Sequence, residues 1–249
     1  LNTKRLLACL RRGHLLLVAA IIIARPLAAQ KHPRPIPPGE YVTELGWGNL
    51  SIKSGKDGTL HFSIQTIGGN GHTCSLDGEL HEGVAKLPGI EDDNPCVVTM
   101  VDTSDGINVK GAPYDACRTY CGARASFPAL YLRPSAACTD KAIARTQDKF
   151  QQLYDTKQFA AARTTLEPLL QCKRTMNWME EGRIRNDLAV TLHKLGDLAA
   201  CRAVLEPLAK DANTTDEELK ASYPPFDFET RLPLVRMTRT NLRLCKKKV

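Results

Sequence analysis

Long apolar runs, catalytic signature motifs and paired metal-ligand spacings are all missing from this chain of 249 residues. Its longest apolar stretch is ten residues, 15–24. As a helix it would rise about 15 Å, half of a bilayer's hydrocarbon layer, which disfavours a stable membrane span. No G-x-S-x-G, G-x-x-x-x-G-K-[ST] or H-E-x-x-H is present, so neither an esterase elbow, a phosphate loop nor a zinc-protease helix is announced. His81-Glu82-Gly83-Val84-Ala85 opens like the last of these but lacks its second histidine. The sole short cysteine spacing is Cys117-x3-Cys121, unaccompanied by a second such pair, which speaks against structural zinc. The expectation is therefore a protein that is not an enzyme, with no catalytic residue, metal or cofactor.

Acidic residues are absent from residues 1–29, which hold Lys4, Arg5, Arg11, Arg12 and Arg25. Setting that segment aside leaves 29 Lys and Arg against 27 Asp and Glu, so a formal charge of +7 falls to +2. The basic balance thus gives no reason to expect nucleic-acid binding. A basic start, an apolar centre and small residues at Ala28-Ala29 read as a Sec-type signal peptide cleaved near Ala29. The expected location is the periplasm or the outside of the cell.

The whole chain is 43% apolar, 24% charged and 6% aromatic, an ordinary globular composition with enough apolar material for one core or two. Cys9 lies in the leader, leaving Cys74, Cys96, Cys117, Cys121, Cys138, Cys172, Cys201 and Cys245. An even number in an exported protein reads as four disulfides.

The fold class expected is α+β, with two halves of different patterning. Residues 30–39 are a proline-rich extended arm. Over 40–135, short runs of β-forming residues alternate with turns such as Gly55-Lys56-Asp57-Gly58, Gly68-Gly69-Asn70-Gly71, Asp77-Gly78 and Asp105-Gly106. That spacing predicts an antiparallel β domain closing as a small barrel or sandwich. Strands are expected over 50–53, 60–67, 72–76, 79–87, 96–101 and 107–110.

Over 138–249 the apolar period changes from two to about 3.6 and the chain repeats. Residues 153–170 set against 192–209 share eight identities, from Leu153/Leu192 through Ala160/Ala199 and Arg163/Arg202 to Pro168/Pro207. The pattern of a large residue on the first helix, a turn at Lys157 and Gly196, Phe159 or Leu198 opening the second helix, and Ala162 or Cys201 at the crossing resembles tetratricopeptide repeats. The resemblance covers about residues 141–210 and implies stacked helical hairpins that bind another protein. The period of 39 is longer than the family's 34, and Pro168 and Pro207 should kink or end their helices. A capping helix is expected over 234–245. In an antiparallel hairpin the start of the first helix lies beside the end of the second, which favours Cys138 with Cys172. Cys201 then pairs with Cys245, and Cys74, Cys96, Cys117 and Cys121 form two bridges of unassigned order.

The candidate binding residues fall in two places. Residues 115–127 place Arg118, Tyr120 and Arg124, types favoured in interface hot spots, around two cysteines. This segment resembles motifs in bacterial envelope proteins of the lysozyme-inhibitor type, which implies a small disulfide-bonded module. The helical repeat offers Arg185, Asn186, Asp187 and His193 as groove residues. Arg236, Arg239 and Arg243 line one face of the last helix, with Leu234, Met237 and Leu244 on the other and Lys246-Lys247-Lys248 following. The leading expectation is an exported, non-enzymatic module that binds another protein, in the cell envelope. The alternatives are an inhibitor or immunity-type protein blocking a cell-wall hydrolase such as lysozyme, and a metal-dependent enzyme using His61, His72 and His81.

Overall fold

In a β-strand alternate side chains face opposite ways, and the inward set here is apolar on strand after strand. The computed structural model describes residues 34–89 and 93–246. The expected leader and Lys247 and Lys248 lie outside the described residues. Among the described residues eight strands form one antiparallel sheet: β1 (Gly39–Thr43), β2 (Gly48–Ser54), β3 (Leu60–Ile67), β4 (Thr73–Leu80), β5 (Val84–Leu87), β6 (Cys96–Asp102), β7 (Gly106–Ala112) and β8 (Ala129–Leu132). Their order is β4-β3-β2-β1-β8-β7-β6-β5, a meander whose first and last strands pair with each other. The sheet is barrel-like, with Leu50, Ile52, Phe62, Ile64, Val98 and Ile107 turned into its core. Each such side chain stabilises by about 1.5–3 kcal/mol on burial.

Two local expectations are corrected. Asp77-Gly78 is not a turn but lies within β4, paired with Ser63 and Phe62. Gly78 faces inward, where a Cβ would sit 2.7 Å from the Leu87 side chain and 3.2 Å from the Phe62 ring. The glycine is there for close packing rather than for a bend. The chain reverses instead at Glu82-Gly83, both at positive φ (52° and 81°), with His81 paired to Val84 across them. This is the geometry of a two-residue hairpin turn whose twist suits the flanking strands. It links β4 to β5 and draws the two ends of the sheet together. Of the proline-rich arm, residues 34–39 are described and are tied down: Ile36 is buried in the barrel core and the Tyr41 hydroxyl donates to the Pro37 carbonyl at 2.7 Å.

A short helix, α1 (Tyr114–Cys117), interrupts the meander between β7 and β8. The helical half comprises α2 (Asp140–Asp155), α3 (Phe159–Leu166), α4 (Trp178–Lys194), α5 (Leu198–Leu205), α6 (Ala209–Ala212), α7 (Asp216–Ser222) and α8 (Pro225–Leu244). Thr139, Asn177, Asp197 and Thr215 cap α2, α4, α5 and α7 through their side-chain oxygens, Thr215 in a capping box with Glu218.

The internal repeat is visible in the backbone. Lys157 and Gly196 both stand at positive φ (59° and 76°), and the residue after each donates to Leu153 O at 2.8 Å or Leu192 O at 3.0 Å. These are the same helix-ending bonds, 39 residues apart. α3 stops at Leu166 and α5 at Leu205, each followed by a 3-10 turn carrying Pro168 or Pro207 in its first positions. A proline has no N–H for the α-helical bond, so the helix tightens or ends there.

The last helix packs against α4, where Gly182 leaves room for Leu234: a Cβ would sit 2.5 Å from its Cδ2. The expected apolar face is corrected in part. Met237 is exposed, and the inward line runs through Leu234, Thr238, Asn241 and Cys245.

The sheet and the helices fall in one compact unit. Gly46, at φ 62°, lies against the Met176–Asn177 backbone, and Arg174 pairs with Glu44 and Asp105. Across the second contact Asn70 N–H donates to the Asp227 carboxylate, and Phe226 N–H donates to the Asn70 side-chain carbonyl at 3.1 Å. Among the described residues no helix is long and apolar enough to cross a membrane.

Candidate functional site: a disulfide-braced platform

Residues 113–127 leave the end of β7 and fold over the barrel core, to which Ala116, Cys117, Ala125 and Phe127 contribute. Cys117 is bonded to Cys96 on β6 and Cys121 to Cys74 on β4, so both sides of the segment are tied to the sheet. Main-chain bonds add to this: Gly122 N–H donates to Thr73 O at 2.8 Å and Ala125 N–H to Gly122 O at 3.0 Å.

Arg118 and Tyr120 serve the shape of the segment itself. The Arg118 guanidinium donates to Gly122 O at 3.0 Å and Ala125 O at 3.2 Å, closing the loop on its own carbonyls. The Tyr120 hydroxyl donates to Pro88 O at 2.8 Å. Arg124, in contrast, is exposed and among the described residues takes part in no ion pair. On the same segment Tyr114 is 72% exposed, its ring 5.9 Å from the Arg118 guanidinium. The sequence reading missed Tyr114; the signal for it was an aromatic directly after Pro113, one residue before the segment singled out. A dimple of about 50 Å³ lies between Tyr114, Phe127 and Pro128.

Gly68, in the β3–β4 turn, fixes where this platform sits. A Cβ there would lie 2.0 Å from the Arg124 carbonyl oxygen, closer than any atoms tolerate. Gly68→Ala is expected to lift the platform and to destabilise the chain by about 1–3 kcal/mol, the range for overpacking a tight site. Chemical denaturation measures the loss, and enhanced amide exchange confined to residues 121–127 reports the lifting; unchanged exchange there would refute the assignment.

The helical candidates are turned inward. Arg185 donates twice to Glu181, at 2.8 and 2.6 Å, and to Val204 O at 3.1 Å, bridging α4 to α5. Asn186 is corrected as a groove residue, because it is fully buried in the α4–α8 contact. Its side-chain amide donates to Gly182 O and Thr238, and its carbonyl accepts from Asn241 at 2.9 Å. His193 is half-buried, its Nε2 without a hydrogen-bond partner.

Asp187 is largely buried, and that burial raises its carboxyl to a pKa of about 6, against a smaller opposing pull from Arg183. Because the folded chain holds this proton more tightly than the unfolded one, the stability it confers is complete below about pH 4. It is lost as the pH rises through about 6. Asp187→Asn is accordingly expected to raise the melting temperature at pH 7.5 and to leave it nearly unchanged at pH 4. Paired thermal melts check this; an equal shift at both pH values would refute it.

The histidines do not gather. His61 and His81 flank Glu79 at 3.9 and 3.7 Å on the solvent side of the sheet, whereas His72 packs against Gly122 under the platform. Among the described residues no group of three or more metal-ligating side chains is arranged to hold an ion.

The arginines of α8 are also largely engaged. Arg236 and Arg239 both pair with Asp216 at the start of α7, and Arg239 further donates to the carbonyls of Ala212 and Thr214. Arg243 donates to Thr240 at 3.2 Å. Sequence reasoning also missed a joint between helices: Arg231 lies between the rings of Trp178 and Tyr223, 4.1 and 4.4 Å from their centroids, and pairs with Asp211 at 2.7 Å. Stacking of this kind uses the flat guanidinium, which lysine lacks.

Compared with known protein families, with characterised proteins and with solved structures, the chain matches none. Four disulfides among the described residues are the chemistry of an oxidising, exported setting.

Proposed function

We propose that this protein is an exported, non-enzymatic binding module that docks another protein of the cell envelope on the platform of residues 113–127. The observation that carries the reading is the pairing of rigidity with exposure. Two disulfides and the Arg118 bonds hold the segment, while Tyr114 and Arg124 are exposed on it. A loop fixed in one shape loses little freedom on binding, so a small contact surface can still give a tight complex. Tyrosine and arginine are residue types that carry interface energy in such settings. The tetratricopeptide-like hairpins then act as a scaffold bonded to the sheet, since their groove candidates are spent on internal contacts.

An inhibitor of a cell-wall hydrolase is the second reading, favoured by the same rigid projecting segment. It differs in demanding that the partner's activity be blocked.

The test is affinity capture from envelope extract with oxidised protein as bait, beside a Tyr114→Ala/Arg124→Glu variant. A partner retained by the first and weakened at least about 100-fold in the second, some 2–3 kcal/mol, is expected. Equal retention would move the contact off the platform. A lysozyme inhibition assay separates the second reading: loss of inhibition in the variant supports it, and no inhibition by either protein removes it.

A further inference from the structure

We propose that the outward face of β1–β4 forms a binding trough for a neutral oligosaccharide. The inference is independent of the platform and draws on a different part of the sheet. Strand register assembles the outward side chains into cross-strand rows. Val42, Asn49, Gln65 and Ser75 make one row, and Glu40, Ser51, Ser63 and Asp77 make the next. Lys53, His61 and Glu79 make the third.

A solvated sheet face is polar as a rule, so polarity alone says little; the shape and the choice of groups decide. The short serines Ser51 and Ser63 lie in the middle of the array, with longer side chains around them. A floor of small residues between taller ones is concave. Pro134 and the Thr139–Lys141 turn at the start of α2 stand over β1–β3 as a wall, enclosing a cleft of about 580 Å³. That lies in the size range of small-molecule sites. A second cleft, of about 420 Å³, shares Asn49 and Gln65 with the first and reaches the half-buried ring of Trp47. The two run together as one trough with an aromatic at one end.

The groups present select the ligand class. Amides, hydroxyls and carboxylates supply donors and acceptors suited to the vicinal hydroxyls of a sugar, whose C–H faces stack on an indole ring. Glu40 and Asp140 balance Lys53 and Lys141 around the main cleft. With no excess of positive charge, the trough has nothing to attract a phosphate chain or another polyanion. The opposite half of the sheet is more mixed: outward, Lys86, Val97 and Ala112 make one row, Val84, Thr99 and Lys110 the next, and Val101, Asn108 and Leu130 a third. Rows made mostly of hydrogen-bonding side chains are found on the β1–β4 half.

The test is calorimetric titration of the oxidised full chain with cellotetraose, maltotetraose and tetra-N-acetylchitotetraose, with a heparin tetrasaccharide as the anionic probe. Saturable binding of at least one neutral sugar with a Kd at or below about 1 mM is expected. Asn49→Ala/Gln65→Ala should weaken it at least about tenfold, and Tyr114→Ala should leave it unchanged. Both substituted side chains are solvent-exposed, so the fold is not at stake, and an unchanged circular dichroism spectrum verifies that. No binding of any neutral sugar at that concentration, binding of heparin alone, or binding undiminished in the double variant would each overturn the proposal.

Discussion

Reduction of its disulfides is expected to unfold this protein at 25 °C. The four bridges span 47, 21, 34 and 44 residues of chain. Loop-closure entropy alone assigns about 3–4 kcal/mol to each at such lengths, through the freedom the open chain would regain. About half of their combined effect already equals the 5–15 kcal/mol by which domains are stable. The bridges are also set into the cores, and those of the helical half close its hairpins. Cys138–Cys172 ties the beginning of the first hairpin to its end, and Cys201–Cys245 ties the second hairpin to the last turn of the capping helix. Two hairpins bury a shorter continuous core than a long array would, so each closure matters more. Circular dichroism in the near and far ultraviolet, with and without reductant, measures the effect. A reduced chain that keeps its near-ultraviolet signal would show that the core suffices. Removing only Cys201–Cys245 as a double alanine variant should cost about 4 kcal/mol.

Asn186→Leu is expected to be nearly as damaging, although it places an apolar residue in an apolar surrounding. Asn186, Thr238 and Asn241 are all buried between α4 and α8 and satisfy one another. Leucine at 186 would remove the 2.9 Å acceptor of the Asn241 amide and the bond Thr238 accepts, leaving Asn241 its longer bond to Asn186 O and Thr238 its bond to Leu234 O, at about 1–3 kcal/mol in all. The informative control is the variant with all three positions apolar, Asn186→Leu/Thr238→Val/Asn241→Leu. With no polar group left stranded, most of the lost stability should return. Denaturant titrations of the single and triple variants decide this. A triple variant no more stable than the single one would mean that the cost is one of shape rather than of unpaired polar groups.

Much of the sheet was legible because its rule is local. The run at 60–67 alternates strictly, and β3 occupies those residues. β1 and β8 were not legible: Gly39–Thr43 and Ala129–Leu132 are short, and each is held by pairing with a strand distant in sequence. Asp77-Gly78 misled because a glycine reads the same whether it bends the chain or makes room for Leu87. In the helical half, the repeat, its turns and its prolines were plain in the residues. Thr238 and Asn241 were not recognisable as core, since a polar side chain becomes an inside residue only when its partner is on the facing helix.

The candidate site divides in the same way. Sequence singled out the cysteine-flanked segment by its residue types, but not which of them would face outward. Arg118 and Tyr120 are no different from Arg124 and Tyr114 as residues; hydrogen bonds to Gly122, Ala125 and Pro88 separate them. The sequence by itself determined the α+β division and the duplicated hairpin, because alternation, period and proline act within a few residues of themselves. Tertiary structure alone decided the closing of the sheet by the β1–β8 pairing, the inward turn of Asn186, and the exposure of Tyr114 and Arg124. Each of those depends on contacts between segments far apart in the chain, about which the local pattern carries no information.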